Sequence, residues 1–319
     1  MMNTVDQTMS QNVGNNQDEA VIRLRNETSA IRLHVRWLGI RKSLTTEQKT
    51  LAANVFDADR NVVSAAKILL DTAHPAFRAV SSIKTETVAV WRSRTLPYVE
   101  PGVRLIPRRD LLDLETVLRD SCQRLSRAVN ELQDCFPEIV SHASERLGDL
   151  FDQSDYPSDL SEMFAISWDY PSMEVPSYLR QISPDVYRLE CDRVRARFQE
   201  AVEVSELAFA EELREMVTHL ADRLSGQEDG KPKVFRDSAL TNLLEFFERF
   251  QRLNVTSNES LEALVAQGRE LLGGTSAVDL RRRESLRTHV AAELSRIQSS
   301  IDSQLSDRPR RNIIRRSVA

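Results

Sequence analysis

ERLGDLFDQSDYPSDLSEMFAISWDYPSMEVPSYLRQISPD, from Glu145 to Asp185, interrupts a chain that is otherwise patterned for long helices. Four prolines fall within it, and proline removes a backbone donor and restricts the residue before it, so no long helix crosses this stretch. It also gathers Tyr156, Phe164, Trp168, Tyr170, Met173 and Tyr178 within a short span. Long, charged, heptad-like segments lie on either side. The pattern predicts a small folded head, about 145–185, at the turn of a long helical hairpin.

The arms follow from apolar spacing. Leu111, Leu114, Leu118, Cys122, Leu125, Val129, Leu132 and Phe136 step by three and four, a coiled-coil stripe that Pro137 interrupts before another turn or two ends near Gly148. From Asp185, Tyr187, Cys191, Val194, Phe198, Ala201, Ser205, Phe209, Leu213, Met216, Leu220 and Leu224 keep the same rhythm to Gly226. The simplest expectation pairs these two arms antiparallel. The same stripes also suit an intermolecular coil, so oligomerisation stays open.

Upstream, Ile31, Leu33, Val35 and Trp37 alternate with Arg32, His34 and Arg36, the period of a strand. Leu51, Val55, Ala58, Val62, Ala65 and Leu69 then predict a helix with a buried stripe, broken at His74-Pro75. A second helix is expected to Ser93, with Val80, Ile83, Val88 and Trp91 inward. Val103 to Ile106 and Phe164 to Trp168 read as further short strands, partners for residues 31–37 in one small sheet. Downstream, the charged linker GQEDGKPK (226–233) precedes a helix bearing Leu240, Leu243, Phe246, Phe247, Phe250 and Leu253. Ser257 in SNES opens another in a capping arrangement, Gly273-Gly274 closes it, and a last helix runs from about Val278 to Leu305.

The predicted fold class is mainly α (α+β): long antiparallel helical hairpin arms with a small β-containing head. The predicted organisation is a disordered segment 1–27, the hairpin with its sheet and head over 28–225, C-terminal helices over 226–305, and a basic tail 306–319. Of 319 residues, 29% are charged and only 9 are glycine and 11 proline. That composition favours helices over a sheet-rich enzyme. No apolar run approaches the roughly 20 residues that span a bilayer. The polar start lacks a secretory pattern, and three unpaired-looking cysteines suit a reducing compartment, so a cytoplasmic protein without membrane attachment is expected.

Phosphate-cradling loops, an H-E-x-x-H pair, a G-x-S-x-G elbow and C-x-x-C are all missing from the sequence, and its five histidines are scattered singly. The expectation is therefore a non-enzymatic protein without metal or cofactor. Aromatic residues and methionine are enriched at binding hot spots, which makes the six head residues candidates for partner binding and equally for the head's own core. The tail RPRRNIIRRSVA offers Arg308, Arg310, Arg311, Arg315 and Arg316 as a basic arm for phosphate backbones, in a chain whose net charge is -5.

IRLHVRWLGIRK (31–42), TLPYVEPGVRLIP (95–107), RLGDLFDQSDYPS (146–158) and FAISWDYPSMEVP (164–176) occur in that order with helices between. Together they resemble a family of bacterial and phage proteins of unknown function, over roughly residues 28–275. Members are often encoded near MoxR/CobS-type AAA+ ATPases and von Willebrand A-like, CobT-type proteins. The resemblance implies an accessory partner of such a machine in a phage or mobile-element setting, and it transfers no catalytic residues. An interaction or adaptor protein is the leading functional expectation. A nucleic-acid-associated protein using the arginine tail is the alternative.

Overall fold

In the computed structural model, residues 18–59, 61–225, 227–228, 231–232, 236–255 and 258–306 are described. The five tail arginines and the first seventeen residues lie outside them, as does half of the 226–233 linker. The protein is mainly α with minor antiparallel β. Among the described residues no helix is long and apolar enough to cross a membrane.

These residues fall into two compact units. One takes the chain up to Ala30, Arg94–Arg108 and everything from Ser172 on; the other takes Ile31–Ser93 and Arg109–Pro171.

In the first unit a helix α1 (18–27) buries Ala20, Val21 and Leu24, so the expectation of disorder through residue 27 fails over its last ten residues. The sequence contains a short amphipathic turn there that its polar surroundings hid. Strand β1 (Thr28–Arg36) begins in this unit, where Arg108 donates to the Thr28 carbonyl at 3.2 Å. Strands β4 (Leu96–Pro97) and β5 (Val103–Pro107) form a tight antiparallel hairpin, its turn containing Gly102 at φ 79°. Positive φ costs glycine nothing.

The body of this unit is helical. Helix α6 (Pro184–Ser225) is flanked by α7 (Asp237–Leu253), α8 (Glu259–Leu272), the short α9 (Ala277–Arg282) and α10 (Glu284–Ser306). Arg214 pairs with Asp302, while Arg287 donates to the Leu224 and Arg223 carbonyls at 2.6 and 3.0 Å, so α10 runs antiparallel to α6. Arg249–Glu212 and Asn258–Glu206 orient α7 and the start of α8 against α6 likewise. The predicted stripe of α6 is buried from Val194 to Leu224 except at Met216, which is half-buried beside the buried Val217, and Phe209, Phe246, Phe247 and Phe250 pack edge-on and stacked at its centre. The N-cap of α8 is Asn258, accepting from the Leu261 amide; Ser257 of the predicted cap lies outside the described residues.

In the second unit, β1 from Arg32 to Arg36 pairs with β6 (Ala165–Asp169), register Leu33 opposite Trp168. Helix α3 (Pro75–Ser93) lies on α4 (Leu111–Leu147). Arg124–Glu86 near their middles and Arg146–Asp71 at their ends make the pair antiparallel. Each long helix thus takes its main partner from its own unit, α3 for α4 and α10 for α6, in place of the expected α4–α6 pairing. An apolar stripe specifies which face is buried; it says little about which groove receives it. Helix α4 also continues through Pro137, whose ring faces solvent while Phe136, Ile139 and Ala143 extend the buried stripe. Packing along that stripe outweighs the lost hydrogen bond.

The predicted helix over 46–69 stops early. Helix α2 (Thr46–Val55) gives way to a turn in which Asp57 has φ 52° and Asp59 accepts from the Asn61 amide at 2.9 Å. Aspartate tolerates the left-handed region and offers the backbone an alternative to the helix. The chain then returns as β3 (Ala66–Ile68) against β2 (Arg41–Ser43). The expected boundary at residue 226 does not separate cores either, because α6 before it and α7–α10 after it share one.

Candidate functional site

The six head residues part company in the structure. Tyr156 is 7% exposed, stacks on Phe151 at 5.3 Å and donates to the Leu69 carbonyl at 3.0 Å. Phe164 is buried between Trp37 and Phe77. Both are core residues of the second unit and contact no partner without unfolding. Trp168 and Tyr170 each donate to the same Glu115 oxygen at 2.9 Å, tying β6 and the residue after it to α4. The Trp168 and Tyr170 hydrogen bonds, helped by Arg119, hold the Glu115 carboxyl below its usual range. Burial and then Glu115 push the Tyr170 hydroxyl up to about 12. Met173 and Tyr178 belong to the first unit: Met173 is half-buried against its core, and Tyr178 lies exposed on the short helix α5 (Tyr178–Ile182). The stretch read as one head is divided after Pro171.

A different feature of the second unit is built for contact. Leu51, Val55, Phe56 and Val62 are 68%, 77%, 80% and 79% exposed, all on α2 and the turn after it. Leu51, Val55 and Val62 are residues of the stripe expected to face inward. Single exposed apolar side chains are ordinary; four within a dozen residues are not. Helix α2 is nonetheless well made. Thr45 accepts from the Gln48 amide while Gln48 accepts from the Thr45 amide, a complete capping box, and Ala53 is its buried contact.

The lobe that carries α2 is anchored by a buried acid that no sequence pattern announced. Lys42 and Lys67 face each other across β2 and β3, and both reach Asp155, whose side chain is fully buried. Lys67 is 6% exposed at the side chain and also donates to the Leu150 carbonyl at 2.6 Å. Burial alone raises the Asp155 carboxyl, and the hydrogen bonds and charges of the two lysines outweigh it, leaving it below the usual range. Asp155 in turn raises the Lys42 ammonium. With Tyr156 bonded to Leu69, this clasp fixes the β2–β3 base, and α2 stands on it.

Beside that base, a groove of about 270 Å³ is lined by Leu69, Leu70, Asp71, His74, Glu138, Ile139, His142 and Arg146, among others. His74 accepts from the Ala76 amide at 3.3 Å, and Arg146 spans to Asp71 at 3.8 Å. Its charges are mixed. Among the described residues no three His, Cys, Asp or Glu side chains come together as a metal ligand set. Cys122 donates to the Ile166 carbonyl at 3.3 Å and is raised by burial, the behaviour of a packed thiol and not of a nucleophile.

No protein-family model, curated protein or solved structure matches this chain. The functional reading therefore rests on the geometry and on the motifs themselves.

Proposed function

We propose that the protein is a non-enzymatic interaction module that presents α2 as a preformed recognition helix to another protein. The observation that carries this reading is the outward apolar side chains of Leu51 and Val55 on a capped, anchored helix, with Phe56 at its C-cap and Val62 in the turn beyond it. An isolated helix of ten residues is marginal in water, so capping and the Asp155 clasp supply order that apolar burial does not. A short amphipathic helix of this kind fits an apolar groove on its partner. Burying each large side chain is worth about 1.5–3 kcal/mol before association costs, so the face supports micromolar, reversible binding better than an obligate complex. An AAA+ ATPase or a von Willebrand A-like protein is the first partner class to test, on the strength of the resemblance alone.

The test compares affinity purifications of the wild type and a Leu51→Asp/Phe56→Asp variant, each with nuclease treatment. The reading expects a stoichiometric protein that survives nuclease with the wild type and is lost with the variant, while circular dichroism is unchanged. Equal recovery with both chains sinks it. The alternative, nucleic-acid binding through Arg308, Arg310, Arg311, Arg315 and Arg316, predicts salt-sensitive binding that disappears when the chain ends at Asp307 and is indifferent to α2.

A further inference from the structure

Between Glu131 and Glu145, helix α4 contains no lysine or arginine. Glu131, Asp134, Glu138 and Glu145 recur there at spacings of three, four and seven, which puts four carboxylates on one exposed face of the helix. None of the four makes an ion pair or hydrogen bond through its side chain among the described residues. Like charges at this spacing repel, so the face is more stable under a cationic cover. It borders the groove beside the β2–β3 base, which Glu138 helps to line. The floor of that groove is apolar: Leu69, Leu70, Ile139 and Ala143 are each at most 8% exposed, with Ile68 beside them at 52%. The one arginine or lysine that lines it among the described residues, Arg146, is turned to Asp71 at 3.8 Å, which leaves the Glu138 side uncompensated.

We propose that this groove receives residues 308–319 of the same chain, with Ile313 and Ile314 on the apolar floor and the arginines against the carboxylates. RPRRNIIRRSVA joins five arginines to an adjacent isoleucine pair and has no acid. Charge singles out such an occupant: the acidic face repels both nucleic acid and the same face of a second copy. Size agrees. At about 270 Å³ the groove falls below the roughly 300–1,000 Å³ that encloses a drug-sized ligand, and it suits one or two side chains of a segment lying across it. Length agrees as well. In an extended segment Arg311 and Arg315 stand about 13 Å apart, and Glu138 and Glu145 stand about 10 Å apart along α4. Docking withdraws the same arginines from phosphate backbones, so nucleic acid and the groove compete for them. The groove lies wholly in the second unit, so the core of the first keeps its melting temperature without the segment.

The experiment is fluorescence anisotropy of a labelled synthetic peptide of sequence RPRRNIIRRSVA, titrated with the full chain and with the chain ended at Asp307. Each is taken to about 300 µM, a range that brackets micromolar affinities. The shortened chain should bind the peptide. The full chain should bind it at least tenfold more weakly, because its own segment competes at an effective concentration on the order of millimolar. A peptide with Ile313→Ser/Ile314→Ser keeps every arginine and should lose at least tenfold. Glu138→Lys in the shortened chain should weaken binding at least fivefold with circular dichroism unchanged, and Leu51→Asp/Phe56→Asp should leave it intact. A shortened chain that does not bind the peptide overturns the proposal. So does a serine peptide that binds as well as the original, which would reduce the contact to charge alone, or a full chain that binds as tightly as the shortened one. Self-association of the full chain that the shortened chain lacks, read by sedimentation velocity, also overturns it, because the segment would then occupy the groove of a second copy.

Discussion

Asp155 is where one atom group carries the most structure. Replacing it with asparagine leaves Lys67 buried without its counter-charge. Removing one partner of a buried pair is costly, and Asp155→Asn should destabilise the protein by about 3 kcal/mol, read from denaturant midpoints at pH 7. The pH dependence has a fixed sign. A carboxyl held below its unfolded value of about 3.9 contributes stability above that pH and loses it as pH falls through the lower folded value. Lys42, raised above about 10.4, contributes below that pH and loses it as pH climbs through the folded value. The clasp is therefore intact from about pH 4 to pH 10, and the acid-side loss should be missing in Asp155→Asn. Gly268 is a second decisive residue. A Cβ there would stand 2.9 Å from the ring of Phe247, itself 1% exposed in the core. Gly268→Val should cost at least about 2 kcal/mol by overpacking, despite the better helix propensity of valine.

Among the elements, α2 is held by its capping box more than by packing. Thr45→Ala should cost about 1 kcal/mol of local order, so α2 amides exchange about fivefold faster while α4 amides keep their protection. The helices packed along one face were legible in advance. The stripe from Val194 to Leu224 and that from Leu114 to Phe136 are buried as spaced except at Met216 and Cys122, which are half-buried, and β1 and β6 alternate as written and pair with each other. Three features were not legible, for separate reasons. The turn after Val55 depends on Asp57 and Asp59 competing with the helix, and apolar spacing continues through them regardless. The partner of each long helix is a matter of tertiary choice that a heptad does not encode. The Lys42–Lys67–Asp155 clasp joins residues far apart in the chain, and each looks like ordinary surface charge in its own neighbourhood. The aromatic cluster misled differently: composition marks Tyr156 and Phe164 as important, and it cannot tell a core from an interface.

For the whole molecule, the division into two units changes what a truncation does. A chain ending at Ser225 keeps all of α6 but loses α7 to α10, and with them Phe246, Phe247, Phe250, Leu294 and Ile297 of the shared core. Such a fragment should lack a cooperative unfolding transition for that core by calorimetry, whereas ending the chain at Asp307 should leave the melting temperature unchanged. The order in which the units receive their segments reaches further. Every residue of the second unit has been synthesised once Pro171 emerges, so it is able to fold while the ribosome is still at work. Ala20, Val21 and Leu24 of α1 belong to a core that is not complete until Ile301. At about 5–20 residues per second, the 301 − 24 = 277 residues that follow Leu24 leave the amino-terminal helix waiting for roughly 14–55 seconds. For that interval its apolar face is a ligand for whatever chaperone attends the nascent chain.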